Sequence, residues 1–114
     1  MRKLIKKEKS DLSKLLFQVR SPIGFHVRTT KGYWKIITAV KHPSMAKRVD
    51  EVKKCILEPD EVRLSKRDKS VYLFYRGFNS GSICVVVKYE GKRSYIITSY
   101  LTDKIKEGEV IWRK

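Results

Sequence analysis

The sequence is poor in cysteine, and it contains no long apolar run. Its 114 residues include two cysteines, which are too few for a disulfide framework and do not have the spacing of metal ligands. The longest clean apolar stretch, 83–87, has the length of a buried strand, so the sequence offers no membrane-spanning helix. The basic segment 1–9 lacks the apolar region of a signal peptide. From these absences we expect a cytoplasmic protein without membrane association.

The signatures of several large enzyme classes are missing as well. The chain contains no Gly-rich phosphate loop and no GxGxxG, HExxH or GxSxG motif. Its aspartates and glutamates are scattered and form no close cluster that would suggest a two-metal nuclease. We therefore expect neither a metal nor another cofactor, and a nuclease with this sequence would work without metal.

Positive charge is what the sequence has in excess. Lys and Arg number 27 against 12 Asp and Glu, for a net charge of +15. This excess favours a polyanionic partner, because Lys and Arg release counterions when they approach phosphates. The alternative is a basic protein without such a partner. Charge does not separate RNA from DNA, but no helix-turn-helix or ribbon signature supports DNA binding.

The first half of the chain predicts a hairpin followed by two helices. Residues 1–12 form a basic arm or a short helix, and residues 13–114 form one domain. Strand patterns at 15–19 and 25–28 flank a Pro-Gly turn and predict a β-hairpin. A helix then begins at Thr29 or Thr30 and ends before Pro43, and a second one ends before Pro59.

The second half alternates apolar and polar residues with period two, which is typical of strands. Short turns connect these segments, so they predict a four-stranded antiparallel meander. The predicted strands are 62–65, 71–78, 83–89 and 95–102. The fold class is therefore α+β, with the hairpin and both helices packed on the meander.

Three basic side chains are candidates for a site, and each has a plainer interpretation. His42 is a candidate general acid or base, or it caps a helix end. Arg63 is a candidate phosphate clamp, or it is an ordinary exposed strand residue. Lys88 ends an apolar strand and is either a second phosphate ligand or a charge that protects a sheet edge.

Hydroxyl side chains on the predicted strands are the remaining candidates. Tyr72 and Tyr75 lie on opposite faces of one strand, so at most one of them shares a face with a given site. Thr98 and Tyr100 are expected to share a face with Ile96, where the two hydroxyls could bind a phosphate or stack a base. Packing between neighbouring strands explains the same pattern equally well.

Taken in order, segments of residues 23–112 resemble the phage-associated members of the barnase–EndoU–colicin–RelE-like (BECR) nuclease superfamily. The resemblance rests on the order and spacing of several segments together. These segments are IGFHVRTT at 23–30 leading into Trp34, KHP at 41–43, EPDEVR at 58–63, VYLFY at 71–75, VVVK at 85–88, ITSY at 97–100 and TDKIKEGEVIW at 102–112.

The resemblance implies a metal-independent RNA endonuclease, in which a ribose 2′-OH attacks the adjacent phosphate. Such a protein can be a toxin or a prophage-linked effector, with an antitoxin or inhibitor protein as its partner. The implied roles are acid/base for His42 and phosphate ligation for Arg63 and Lys88. Thr98 would bind the phosphate or the ribose, and Tyr75 or Tyr100 would position the base. A non-catalytic RNA-binding module on the same fold is the alternative.

Overall fold

A computed structural model describes residues 12–78, 80–91, 93–104 and 106–114. The predicted N-terminal arm, 1–12, lies outside the described residues except for residue 12. The elements are β1 (Leu15–Arg20), β2 (His26–Thr30), α1 (Lys31–Ile36), a π-helix (Ile37–Lys41), a 3-10 turn (Pro43–Met45), α2 (Val49–Leu57), β3 (Glu61–Leu64), β4 (Val71–Phe78), β5 (Gly81–Glu90), β6 (Arg93–Thr102) and β7 (Glu109–Arg113).

All seven strands belong to one mixed sheet, in the order β1-β2-β6-β5-β4-β3-β7. Neighbouring strands are antiparallel, except that β2 runs parallel to β6 and pairs Arg28 with Tyr95. The α+β class is confirmed, but the sheet is larger than the predicted meander. Strands β1 and β2 extend the sheet itself, and β7 adds a further strand beside β3. The β7 pattern is too short, with consecutive apolar residues at 110–112, to reveal a strand by alternation.

The helical layer starts where the sequence predicts a cap. Thr30 lies in an extended conformation, and its hydroxyl oxygen accepts a hydrogen bond from the backbone N–H of Tyr33 at 3.2 Å. Helix α1 continues directly into the π-helix, which ends at Lys41. Pro43 then opens the 3-10 turn, because a proline at the first turn loses no helical hydrogen bond.

One face of the sheet packs against these helices and contains the main core. Helix α2 buries Val52, Cys55 and Ile56, while Asp50 and Lys54 are exposed. The buried core residues are Phe17, Val27, Trp34, Ile37, Met45, Val52, Cys55, Ile56, Val62, Phe74, Ile83, Val85, Val87 and Ile96. No helix in the described ranges is both long enough and apolar enough to cross a membrane.

A β-bulge in β6 changes which face its side chains occupy. Val87 pairs with Ile96 and Val86 pairs with Thr98, so Ile97 is an extra residue between the two pairs. Ile96 therefore joins the helix-side core, whereas Thr98 and Tyr100 lie on the opposite face. The expectation that Ile96 shares their face is wrong, because simple alternation does not anticipate an inserted residue.

Candidate functional site

The sheet face opposite the helices, here called the open face, contains the residues predicted for the site. Strand pairing places them in rows that cross the sheet. The first row is Glu61, Tyr75, Cys84 and Tyr100, and the second row is Arg63, Leu73, Val86 and Thr98. Lys88 lies in a third row, with Val71 and Tyr95. Residues that are far apart in the sequence therefore share one surface.

His42 reaches this surface from the helical layer, at the edge of β6. Its ring centroid lies 5.5 Å from that of Tyr100. Its backbone closes the π-helix by donating to the carbonyl of Ile37 at 2.7 Å, and its own carbonyl accepts from Met45 at 3.0 Å. The backbone of His42 is thus fixed at both ends of the junction, and the residue is half-buried. By contrast, His26 is exposed at the start of β2.

The residue before His42 ties this junction to the bulge in β6. The Lys41 ammonium and the Tyr33 hydroxyl each donate to the carbonyl oxygen of Ile97 at 3.3 Å. The carbonyl of the inserted residue is thereby bonded to two side chains of the helical layer. π-helical turns are rare and occur frequently at functional sites. Sequence reasoning assigned no role to Lys41, although the Lys-His-Pro step pointed to this junction.

A cleft of about 350 Å³ opens beside Tyr100, under the loop that connects β6 and β7. Its lining combines phenol, hydroxyl, carboxylate and ammonium groups. The lining residues are Tyr75, Tyr100, Leu101, Thr102, Asp103, Lys104 and Glu107. Asp103, Lys104 and Glu107 were not predicted as site residues. The sequence feature that could have indicated them is the concentration of charged residues in the segment between β6 and β7.

Arg63, the predicted phosphate ligand, already has several partners. One terminal nitrogen donates to the carbonyls of Lys106 and Gly108 at 3.1 and 3.2 Å, and its Nε lies 3.4 Å from a Glu61 carboxylate oxygen. Gly108 suits this position, because its φ of +85° favours glycine and an added Cβ would lie 2.6 Å from the carbonyl oxygen of Leu64. Arg63 therefore anchors the β6–β7 loop on the open face.

Glu61 is the centre of this anchor. Its nearly buried carboxylate lies 2.6 Å from the Lys106 ammonium, 3.4 Å from Arg63 and 3.5 Å from Arg113. Burial alone would raise the pKa of Glu61, but the hydrogen bond and charge of Lys106, together with both arginines, lower it below its usual value. Glu61 thus holds three cations on this side of the open face, and because it is a single carboxylate the cluster keeps a net positive charge.

Three weakly acidic groups meet in the first row. Burial raises the pKa of Cys84 to about 11, although hydrogen bonds with Tyr100 and Tyr75 oppose the shift. Burial and the neighbouring Cys84 raise the pKa of Tyr75 to about 12 and also raise that of Tyr100. The Tyr75 hydroxyl accepts from the backbone N–H of Glu107 at 3.1 Å. These groups are neutral at physiological pH, so they can donate hydrogen bonds but cannot act as bases.

Lys88 and Thr98 differ sharply in their partners. The Lys88 ammonium is 2.8 Å from a carboxylate oxygen of Asp68, and this hydrogen bond raises the pKa of Lys88 and lowers that of Asp68. The Thr98 Oγ1, in contrast, is buried without a hydrogen-bond partner among the described residues. An unsatisfied buried hydroxyl is costly, and a bound ligand is one explanation for its presence.

Within the described part of the chain, no group of three or more His, Cys, Asp or Glu residues is arranged to hold a metal ion. Comparison with protein-family models, with curated proteins and with solved structures finds no match to this chain. The interpretation of the site therefore depends on its own geometry.

Proposed function

We propose that this protein is a metal-independent RNA endonuclease with a RelE-like (BECR) arrangement, in which two helices pack on a sheet built around an antiparallel meander. The observation that carries the proposal is the contact of the His42 ring with Tyr100 beside the cleft of about 350 Å³. A net charge of +15 suits an RNA substrate.

In the proposed reaction, His42 removes the proton from a ribose 2′-OH, and the resulting oxygen attacks the adjacent phosphorus. The bond to the 5′-oxygen of the next nucleotide breaks, which leaves a 2′,3′-cyclic phosphate. Water supplies the proton for the leaving oxygen, and His42 later returns its own proton to water. Imidazole is suited to this exchange at physiological pH.

The neighbouring groups would hold the phosphate while charge develops on it. The neutral Tyr100 hydroxyl and the unpartnered Thr98 hydroxyl can each donate a hydrogen bond to a phosphoryl oxygen. Lys104 lines the cleft and adds positive charge. In this proposal Arg63 anchors the β6–β7 loop and adds positive charge without binding the phosphate directly. Tyr75 lines the cleft.

A cleavage assay on a fluorescent single-stranded RNA in EDTA, beside the 2′-deoxy strand, tests the proposal. We expect the RNA to be cut and the deoxy strand to remain intact. His42→Ala should lower the rate by about 100-fold or more, whereas His26→Ala, the same change at an exposed strand end, should leave it unchanged.

Either of two results would contradict the assignment. Equal cleavage of the two strands would exclude attack by the 2′-OH. Full activity of His42→Ala, purified in the same way, would remove His42 from the reaction. If expression of the active protein arrests growth and His42→Ala relieves the arrest, the toxin interpretation and the expectation of an inhibitor partner gain support.

One observation favours the second candidate, a non-catalytic RNA-binding module. Arg63 and Lys88, which the resemblance assigns to phosphate binding, are both held in ion pairs. Affinity would then come from other basic groups, such as the exposed Lys47 and Lys54 around α2. This candidate predicts salt-dependent RNA binding that His42→Ala leaves unchanged, without any cleavage.

A further inference from the structure

A second cavity, of about 440 Å³, lies where β2 and β6 separate. The two strands run parallel and pair Arg28 with Tyr95, after which β2 ends at Thr30 and the chain turns into α1. The lining residues are Arg28, Thr29, Thr30, Tyr33, Arg93 and Tyr95. Two arginines, two tyrosines and two threonines therefore line one space.

The arginines of this cavity differ from Arg63. Neither Arg28 nor Arg93 has an ion-pair partner within the residues that the structure describes. The nearest acidic neighbour in the strand register is Glu90, which lies opposite Arg93 and accepts a hydrogen bond from the Tyr95 hydroxyl at 3.2 Å. Guanidinium groups without a carboxylate partner are well suited to bind phosphate oxygens in a fork.

Thr29 provides an independent sign that the cavity receives a ligand. Thr29 is one of the residues that line the cavity, and it is only 3% exposed. Nevertheless, its Oγ1 is buried without a hydrogen-bond partner in the described part of the chain. Burying an unsatisfied hydroxyl costs free energy, and a ligand oxygen in the cavity would satisfy it.

The tyrosines of the cavity are fixed through their hydroxyls. Tyr33 donates to the carbonyl of Ile97, and Tyr95 donates to Glu90. With the hydroxyls engaged, the rings remain available for stacking, which is how single-stranded RNA is commonly held. A ligand that combines a phosphate with an aromatic base would match both kinds of group.

We propose that this cavity binds one nucleotide of the single-stranded RNA substrate, with its phosphate between Arg28 and Arg93 and its base against Tyr33 or Tyr95. The inference rests on the proposed function and adds a subsite to it. Lys41 lies between this cavity and the proposed catalytic site: its ammonium is 6.0 Å from the Tyr33 ring centroid, and it directly precedes His42 in the chain. Tyr95 and Tyr100 are about 17 Å apart along β6, so this nucleotide is not the one that is cleaved.

RNA binding, measured by fluorescence anisotropy in the His42→Ala background, tests this subsite without cleavage. Replacing both Arg28 and Arg93 by Ala should weaken binding of a labelled single-stranded RNA by about tenfold or more. It should also reduce the slope of log affinity against log salt by about 0.7 for each phosphate that the two arginines neutralise. The matched control, Arg20→Ala with Arg67→Ala, removes the same charge from exposed positions and should change affinity by less than about threefold.

Thr29→Val supplies a second variant that keeps the shape of the side chain and removes only the hydroxyl. It should weaken RNA binding by about threefold or more without lowering thermal stability. Equal losses for the cavity pair and the control pair, or full affinity of the cavity pair, would overturn the subsite. Saturable binding of inorganic phosphate or adenosine monophosphate at Thr29, with RNA affinity unchanged by the cavity variants, would overturn it in favour of a small-anion site.

The result is separable from the test of the proposed function. If the cavity variants lose RNA affinity and the unmodified protein cuts no RNA, the subsite stands and the endonuclease proposal fails. If the unmodified protein cuts RNA and the cavity variants bind it normally, the endonuclease proposal stands and the subsite fails.

Discussion

The two sides of the open face are both basic, but they use their charges differently. On the side of β3 and β7, Glu61 gathers Arg63, Lys106 and Arg113, and Arg63 also binds loop carbonyls. On the side of β6, Arg28 and Arg93 have no ion-pair partner among the described residues. The cations beside β3 and β7 are therefore engaged in holding the β6–β7 loop, whereas the two arginines beside β6 remain available to bind an anion.

The same contrast holds for the uncharged polar groups. Next to β3, the Tyr75 hydroxyl on β4 accepts from the backbone N–H of Glu107 at 3.1 Å. Thr98 on β6 and Thr29 on the neighbouring strand β2 have buried hydroxyls without partners among the described residues. Partnered groups stabilise the fold, whereas unpartnered groups reduce its stability and are expected where ligands bind. We therefore propose that ligands bind along β6, whereas the cluster around Glu61 supports the fold.

The largest expected effect on stability comes from Glu61→Gln, which would break the supporting side. The change leaves three cations around a neutral amide, and we expect it to lower the free energy of unfolding by about 2–3 kcal/mol at pH 7. Urea unfolding measures the loss. The control Glu109→Gln, at an exposed position on β7, should stay within about 0.5 kcal/mol of the unmodified protein.

The pH dependence of this loss follows from the lowered pKa of Glu61. A carboxyl with a lower pKa in the folded state contributes stability above its usual pKa of 4.5 and loses it as the pH falls through the folded value. The difference between the unmodified protein and Glu61→Gln should therefore shrink below about pH 4.5. A difference that stays constant down to pH 3 would show that the charge of Glu61 does not stabilise the fold.

Much of this architecture could be predicted from the sequence, because its signals are local. The cap at Thr30, the stop at Pro43 and the opposite faces of Tyr72 and Tyr75 depend on residues only a few positions apart. The structure brings the candidate residue Thr98 to the same face as Tyr100, which the alternation did predict. Local chemistry therefore sufficed for these features.

The features that sequence reasoning missed depend on distant partners. The bulge at Ile97 shows only when β6 is paired with β5, and β7 becomes a strand because β3 offers it an edge. Alternation predicts the strand that contains Arg63. It does not show that the guanidinium donates to the carbonyls of Lys106 and Gly108, which lie 43 and 45 positions later in the chain. Whether a cation is free or engaged is a property of the whole fold.

A smaller effect is expected from Arg63→Met, which tests whether Arg63 supports the loop or binds the substrate. The change removes the donors to Lys106 and Gly108, and we expect a loss of about 1–2 kcal/mol in urea unfolding. Cleavage per folded molecule should fall by less than about tenfold, because Arg63 acts on the cleft through the loop.

Arg113→Met is the matched control for this experiment. Arg113 contacts the same carboxylate at 3.5 Å, but its side chain is 67% exposed, so the change should cost less than about 1 kcal/mol. If Arg63→Met loses as much activity as His42→Ala while remaining folded, Arg63 is a phosphate ligand. The side of β3 and β7 would then also take part in substrate binding, and the proposed separation between a structural and a functional side of the open face would be wrong.

The smallest effect on stability, and one of opposite sign, is expected from Thr98→Val. The change replaces a buried hydroxyl without a described partner by a methyl group of similar size, and it should raise the free energy of unfolding by about 0.5–1 kcal/mol. Cleavage should fall by about tenfold, because a donor to the phosphate is lost. Thr38→Val is the control: its hydroxyl donates to the carbonyl of Trp34 at 2.9 Å, so its loss should destabilise the protein without affecting cleavage. A Thr98→Val protein that is destabilised, or fully active, would mean that this hydroxyl belongs to the supporting side and that the functional edge of β6 does not include it.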